Sequence, residues 1–240
     1  MSGTCALVLN HSFKSESFFG RSYGMQHAFK FGDAPKDDDA SHFGSPQINY
    51  DFPAPGTAPN HLVLVGEAPG AEEVRLGHPF VGRSGQLLDK ILAQAGIERK
   101  ACLIANVFRF QPPGNKVDHF FISRRAAQRE GIGIAEEYGP FGSAFCRADF
   151  TGEIEHLRET LGAYHKKCGG KIVIVALGRT PMWALTGENG LLEKIGKPLP
   201  CRLVPGVTVI PTFHPSFILR GNWGRQDEWM GHFVAAQKTL

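Results

Sequence analysis

A chain of 240 residues, 42% of them hydrophobic and 20% charged, holds enough apolar material for one sizeable core and too little for two complete domains. Its formal net charge of +3 is too weak to argue for a nucleic-acid partner by bulk charge, yet it is compatible with a phosphate-facing surface. The five cysteines, Cys5, Cys102, Cys146, Cys168 and Cys201, are scattered and form no CxxC pair, and no apolar run suits a signal peptide or a bilayer span. Reduced thiols in a soluble, cytoplasmic protein without membrane contact are therefore expected.

The first sixty residues mix Ser, Gly, Phe, His and Pro, carry the run Asp37, Asp38, Asp39 and end in a proline-rich stretch. No helix or strand period persists there. Phe13, Phe18, Phe19, Phe29, Phe31 and Phe43 argue against a disordered tail, because such tails are poor in aromatics. Residues 1–60 are expected to form an arm that packs on a domain spanning 61–240.

From residue 61 the pattern changes. A first strand is expected over 62–65, followed by a helix opened by Ser84 as N-cap, with Leu87, Leu88, Ile91 and Leu92 on one face and Gly96 as its stop. A second strand over 102–105 precedes helical patterns over 120–137 and 153–167. A third strand covers 172–177, a short helical stretch 181–185 and a fourth strand 207–210, with a last helix from Asp227 onward. Short β-branched runs between helices indicate an α/β fold: a three-layer α/β/α sandwich with a central, mainly parallel four-stranded sheet. Such sheets bind ligands at the carboxyl ends of their strands.

Those ends carry polar residues among Gly and Pro. The first strand runs into Gly66, Glu67 and, further on, Glu73 and Phe80; the second into Asn106 and the double proline Pro112-Pro113; the fourth into His214, Pro215 and Ser216. Rigid turns that bring such groups together are how a pocket is built. In order along the chain, GEAPGAEE, GHPFVGRSGQLL, NVFRFQPPGN, IVALG and HPSFILR resemble the uracil-DNA glycosylase superfamily, and within it the family 4 type.

The resemblance implies a DNA-repair enzyme that flips uracil out of single- or double-stranded DNA and hydrolyses the N-glycosidic bond, acting as a monomer. It implies a role for each matched residue. Phe80 would stack on the uracil, Gly66 would belong to the uracil-binding pocket, and the Asn106 amide would donate to O4 and accept from N3–H. His214 would hydrogen-bond O2, Glu67 would orient the attacking water, and Glu73 would fill the space beside C5 that thymine's methyl needs. Ser216, Ile218, Leu219 and Arg220 would meet DNA, with Ile218-Leu219 as an apolar wedge, and Arg83, Lys116 and Arg225 are further phosphate candidates.

The chain departs from family 4 in its cysteines. No pair precedes Leu62, Phe110 stands where a third cluster ligand would be, and Cys146 alone could match the fourth, so no iron-sulphur cluster, metal or other cofactor is expected. The stretch 115–150 is also longer than the family's connection and is expected to form an extra helix or a DNA-facing loop. Two other readings share the fold: a sensor that binds uracil or abasic DNA with little turnover, and a glycosylase for another deaminated base such as hypoxanthine.

Overall fold

The computed structural model describes residues 45–240; residues 1–44, with Cys5 and most of the expected arm, lie outside the described residues. A five-stranded sheet organises the fold. Strands β1 (Leu62–Gly66), β2 (Leu103–Asn106), β5 (Val173–Leu177) and β7 (Thr208–Thr212) run parallel, and β6 (Leu199–Pro200) pairs antiparallel with β7, in the order β2-β1-β5-β7-β6. The sheet thus has one strand more than the four expected. A two-residue strand that contains Pro200 is too short to show a period.

Successive residues of β1 feed opposite faces. Val63 and Val65 join one apolar cluster and Leu62 and Leu64 the other, as Ile174 and Ala176 alternate with Val173 and Val175 on β5. Helices cover both faces. The first face is closed by α4 (Thr151–Lys167), through Ile154, Leu157 and Leu161, and by α5 (Arg179–Thr186), through Met182 and Trp183. The second is closed by α2 (Arg83–Gln94), through Leu88, Ile91 and Leu92, and by α8 (Gln226–Thr239), through Trp229 and Phe233. Each such side chain stabilises by roughly 1.5–3 kcal/mol when fully buried, so the two clusters dominate the fold's energetics. The expected three-layer α/β/α architecture is the observed one. Among the described residues no helix is long and apolar enough to cross a membrane.

The shorter helices are α1 (Ala71–Leu76), α3 (Arg124–Glu130), α6 (Leu191–Lys194) and α7 (Pro215–Leu219). Several boundaries differ from the sequence expectation for local reasons. Helix α2 starts at Arg83, with Gly82 rather than Ser84 at the cap position. The Glu73 carboxylate accepts the Val81 and Gly82 N–H groups just ahead of it, which fixes where the chain enters the helix, and no side chain caps its first turn. The helix expected over 120–137 shrinks to α3, capped by the Ser123 hydroxyl and ended by Gly131 at φ 67°. Its first residues instead form β3 (Phe121–Ile122), which pairs with β4 (Phe145–Cys146). Strand β7 runs on through Pro211, whose missing N–H faces past the end of the two-residue β6, where no ladder bond is lost.

Within 45–60 the chain follows the outer edge of β2. Asp51 and Ile104 exchange both backbone hydrogen bonds, and the Ile48 N–H reaches the Arg109 carbonyl. An open strand edge is covered in this way. The stretch between β2 and α4 is held by aromatic stacking, Phe108 on Phe120 at 3.9 Å and Phe121 on Phe141 at 4.2 Å between centroids. Glu153 of α4 accepts from the Arg109 backbone and guanidinium and from the Gln47 amide, which ties the β2 exit, the edge segment and α4 together.

Candidate active site

A cleft of about 670 Å³ opens at the carboxyl ends of β1, β2, β5 and β7 and includes Glu67, Phe80, Asn106, Thr180's neighbour Arg179, and His214 in its lining. Parallel register sets Gly66 opposite Asn106. A Cβ at Gly66 would collide with Asn106 Oδ1 and with the Phe80 ring, so glycine is what allows both to close over the end of β1. Phe80 holds a left-handed backbone, φ 54°, which is strained for an aromatic residue and persists only where the surroundings impose it. Two features impose it. Its carbonyl lies where a side chain at Gly85 would be, and the next two N–H groups are gripped by Glu73.

Asn106 is 2% exposed, and its side chain has no hydrogen bond among the described residues while lining the cleft. An amide unpaired by the protein and open to the cleft has both its donor and its acceptor available to a ligand. His214 caps the N-terminus of α7, where its Nδ1 accepts the Ser216 N–H at 3.1 Å and lies 2.8 Å from Ser216 Oγ. An accepting Nδ1 leaves the ring proton on Nε2. Burial first, and then the Arg220 charge, lower the His214 pKa to about 4, so the ring is neutral at pH 7 and offers a donor N–H. Its centroid lies 6.0 Å from that of Phe80.

Glu67 follows β1 directly, and its Oε2 accepts from the Thr180 hydroxyl at 2.5 Å. Burial raises its pKa above the usual carboxylate value, against the lowering effect of Thr180 and of the Arg179 and Arg220 charges. A half-buried carboxylate thus shares one cleft with a neutral imidazole donor, a buried amide and a constrained aromatic ring. Residues 55–237 match the model of the Uracil DNA glycosylase superfamily. The chain belongs to the uracil-DNA glycosylase superfamily.

Curated relatives agree with this membership. The chain is 33% identical over 167 residues to a Type-4 uracil-DNA glycosylase of Thermotoga maritima, a match covering 69% of each chain. It is 44% identical over 70 residues to the Type-4 uracil-DNA glycosylase of Archaeoglobus fulgidus, covering 29% of this chain and 35% of that one. The Type-4 uracil-DNA glycosylase of Pyrobaculum aerophilum matches at 44% over 64 residues, 27% and 33% of the two chains.

Within this superfamily member, Gly66, Glu67, Phe80, Asn106 and His214 converge as the sequence led one to expect. Ile218 does not behave as a wedge. It is fully buried among the apolar side chains under α7, because the short helix turns it inward, whereas Ser216 and Leu219 stay partly exposed and Arg220 exposed. Glu73 does not stand free beside a base: its carboxylate accepts the N–H groups of Gly70, Val81 and Gly82. Arg83 is exposed at the cleft, and Lys116 is exposed on the loop after Asn115. Arg225 is taken by Glu228 and by the Phe213 ring 4.4 Å away.

Three residues of the site carried no sequence signal. Thr180 and Arg179 open α5 without a motif, and Leu192, 72% exposed at the cleft mouth, lies in the one-turn helix α6, too short to show a period. The donor set for an iron-sulphur cluster is not assembled among the described residues. Cys102, Cys146, Cys168 and Cys201 are buried and free, and among the described residues no three His, Cys, Asp or Glu side chains stand together to hold a metal. Burial pushes the Cys102 thiol to about 11 and the Cys146 thiol to about 12, which disfavours the thiolates such ligation needs.

Proposed function

We propose that this chain removes uracil from DNA by hydrolysing its N-glycosidic bond, leaving an abasic site. The observation that carries the reading is the unpaired, buried Asn106 amide in one cleft with the neutral His214 ring. Extruding a base costs about a few kcal/mol of unstacking and unpairing, which stacking on Phe80 and pairing with Asn106 offset. The amide donates to O4 and accepts from N3–H. Cytosine presents the reverse pattern at those atoms and leaves polar groups unpaired.

The C1′–N1 bond breaks with its electron pair leaving on uracil, and the negative charge gathers on O2. His214 Nε2–H donates to that oxygen, an interaction that strengthens as charge develops and so lowers the barrier. Water bonds to C1′ and passes its proton to Glu67, which must be ionised to accept it. At the rim, Leu219 and the exposed Leu192 offer apolar contact to the opened duplex, and Arg220 and Arg83 offer charge to phosphates.

End-labelled oligonucleotides containing uracil in single strand, U:G and U:A, with hypoxanthine as a further arm, test this directly after alkaline cleavage of abasic sites. Alkali-sensitive breaks at uracil are expected. Tight binding with no breaks would leave a damage sensor, and breaks at hypoxanthine alone would reassign the base.

A further inference from the structure

We propose that the Thr180 hydroxyl is the positioning group for Glu67, pinning one carboxylate oxygen so that the other faces the attacking water. The proposal rests on the reading of Glu67 as the group that orients that water. The contact is short, 2.5 Å from Thr180 Oγ1 to Glu67 Oε2, and Thr180 is fully buried, so solvent offers its hydroxyl no alternative.

Helical threonines commonly turn their hydroxyl back to the carbonyl four residues earlier. Thr186 of the same helix does so, bonding the Met182 carbonyl at 2.7 Å. Thr180 instead reaches across to a loop 113 residues away in sequence. That choice is available because Gly178, at φ 109°, caps α5 and Thr180 falls in its first turn. Unsatisfied N–H groups and the helix dipole favour a negative charge there.

A half-buried carboxylate needs such help. Burial pushes the Glu67 carboxyl above its ordinary pKa and so works against the ionised form, and Thr180 is the largest influence in the opposite direction. Arg179 on α5 and Arg220 after α7 also favour the ionised form, Asp118 from the turn after β2 opposes it, and His214 is neutral at pH 7. A hydroxyl donor can act on both requirements at once: it fixes the rotamer of the carboxylate and keeps it available as a base. Thr180 touches neither substrate nor water in this scheme, so it acts through Glu67.

The test compares Thr180→Val, which keeps the shape and loses the donor, with Thr180→Ser, which keeps the donor, and with Glu67→Gln. Single-turnover excision of uracil from a single-stranded oligonucleotide is measured against pH, and the Glu67 carboxyl is titrated by carbon-13 NMR in each folded protein. For Thr180→Val the plateau rate should drop about tenfold, the scale of one net hydrogen bond. The acid limb of the profile and the NMR midpoint should both move to higher pH, and Thr180→Ser should bring all three back. Glu67→Gln should abolish the acid limb.

Thr180→Val with an unmoved limb and an unmoved Glu67 midpoint overturns the proposal, as does a serine variant that behaves like valine. Glu67→Gln with the parent's rate and limb overturns the underlying reading of Glu67 and the proposal with it. A parent that cuts no uracil overturns the proposed function, and the NMR titration then still decides whether Thr180 governs the carboxylate. Should Thr180→Val not fold, Thr180→Ala takes its place in the same measurements.

Discussion

Asn106 sits where strand geometry puts it, opposite Gly66 on β2, with an amide whose donor and acceptor have no protein partner among the described residues. Replacing it by aspartate preserves size but turns the O4-facing donor into a second acceptor. Uracil excision by Asn106→Asp should fall by up to about four orders of magnitude, with weak cytosine release appearing in the same sequence context, both read on labelled oligonucleotides. Undiminished uracil excision would show that Asn106 does not read the base. His214 predicts a stability effect as well. Its folded pKa, about 4 against an ordinary 6.5, means that between those pH values the unfolded chain takes up a proton that the folded one refuses. Stability should therefore fall as pH drops from 6.5 toward 4 and level off below, by a total of about 3 kcal/mol. Asparagine can still cap α7, so urea titrations of His214→Asn should show this slope removed relative to the parent. Equal slopes in the two proteins would mean that the ring is not held neutral.

At the scale of elements, the pocket depends on a loop clamp. Glu73 links the start of α1 to the start of α2 through three backbone N–H groups, and Phe80 lies between those anchor points in a backbone conformation that it would not choose alone. Hydrogen bonds to a charged acceptor contribute roughly 1.5–3 kcal/mol each, and partial exposure reduces that. Glu73→Ala should lower unfolding stability by about 2 kcal/mol and reduce excision together, since Phe80 loses its imposed geometry; Glu73→Gln, with one accepting oxygen, should fall between. A Glu73→Ala protein that melts and cuts like the parent would leave Phe80 constrained by Gly85 alone. The sequence pattern had marked Glu73 as an acidic residue at the right place along the chain. Which atoms its carboxylate meets depends on the path of the loop from Gly70 to Gly82, and that path has no period to read.

Over the whole molecule, one buried ion pair joins three parts of the chain that lie far apart in sequence. Arg109 leaves β2, Glu153 opens α4, and Gln47 belongs to the edge segment; the pair is 15% and 7% exposed at its two side chains. Removing one partner of such a pair strands the other charge, at a cost of roughly 3–5 kcal/mol. Glu153→Ala should lose about that much in urea unfolding, whereas replacing both residues together by Met should lose far less. Comparable losses for the single and double variants would locate the energy in packing rather than in the stranded guanidinium. Because Arg109 follows Asn106 by three residues, the single variant should also weaken excision through the β2 exit.

How far the sequence reaches can be followed along particular residues. Four parallel strands were legible because strands buried on both faces read as unbroken apolar runs, as 62–65 and 172–177 do, and α2 was legible because Leu88, Ile91 and Leu92 repeat at the helical period. The core of the site was legible too: Glu67, Asn106 and His214 each stand at or just past the end of a strand, and a parallel sheet gathers its strand ends on one side whatever the loops do. Hidden from the sequence were β6, too short to have a pattern, the inward turn of Ile218, the Glu73 clamp and the Thr180 contact. These are matters of which way a side chain points and what stands across from it, and they depend on contacts between segments more than a hundred residues apart. The strands, the order of the motifs and the superfamily membership were written in local periodicity and residue identity; the orientation of the carboxylate, the tautomer of the histidine and the strain at Phe80 were decided only once the tertiary fold brought distant polar groups within hydrogen-bond reach.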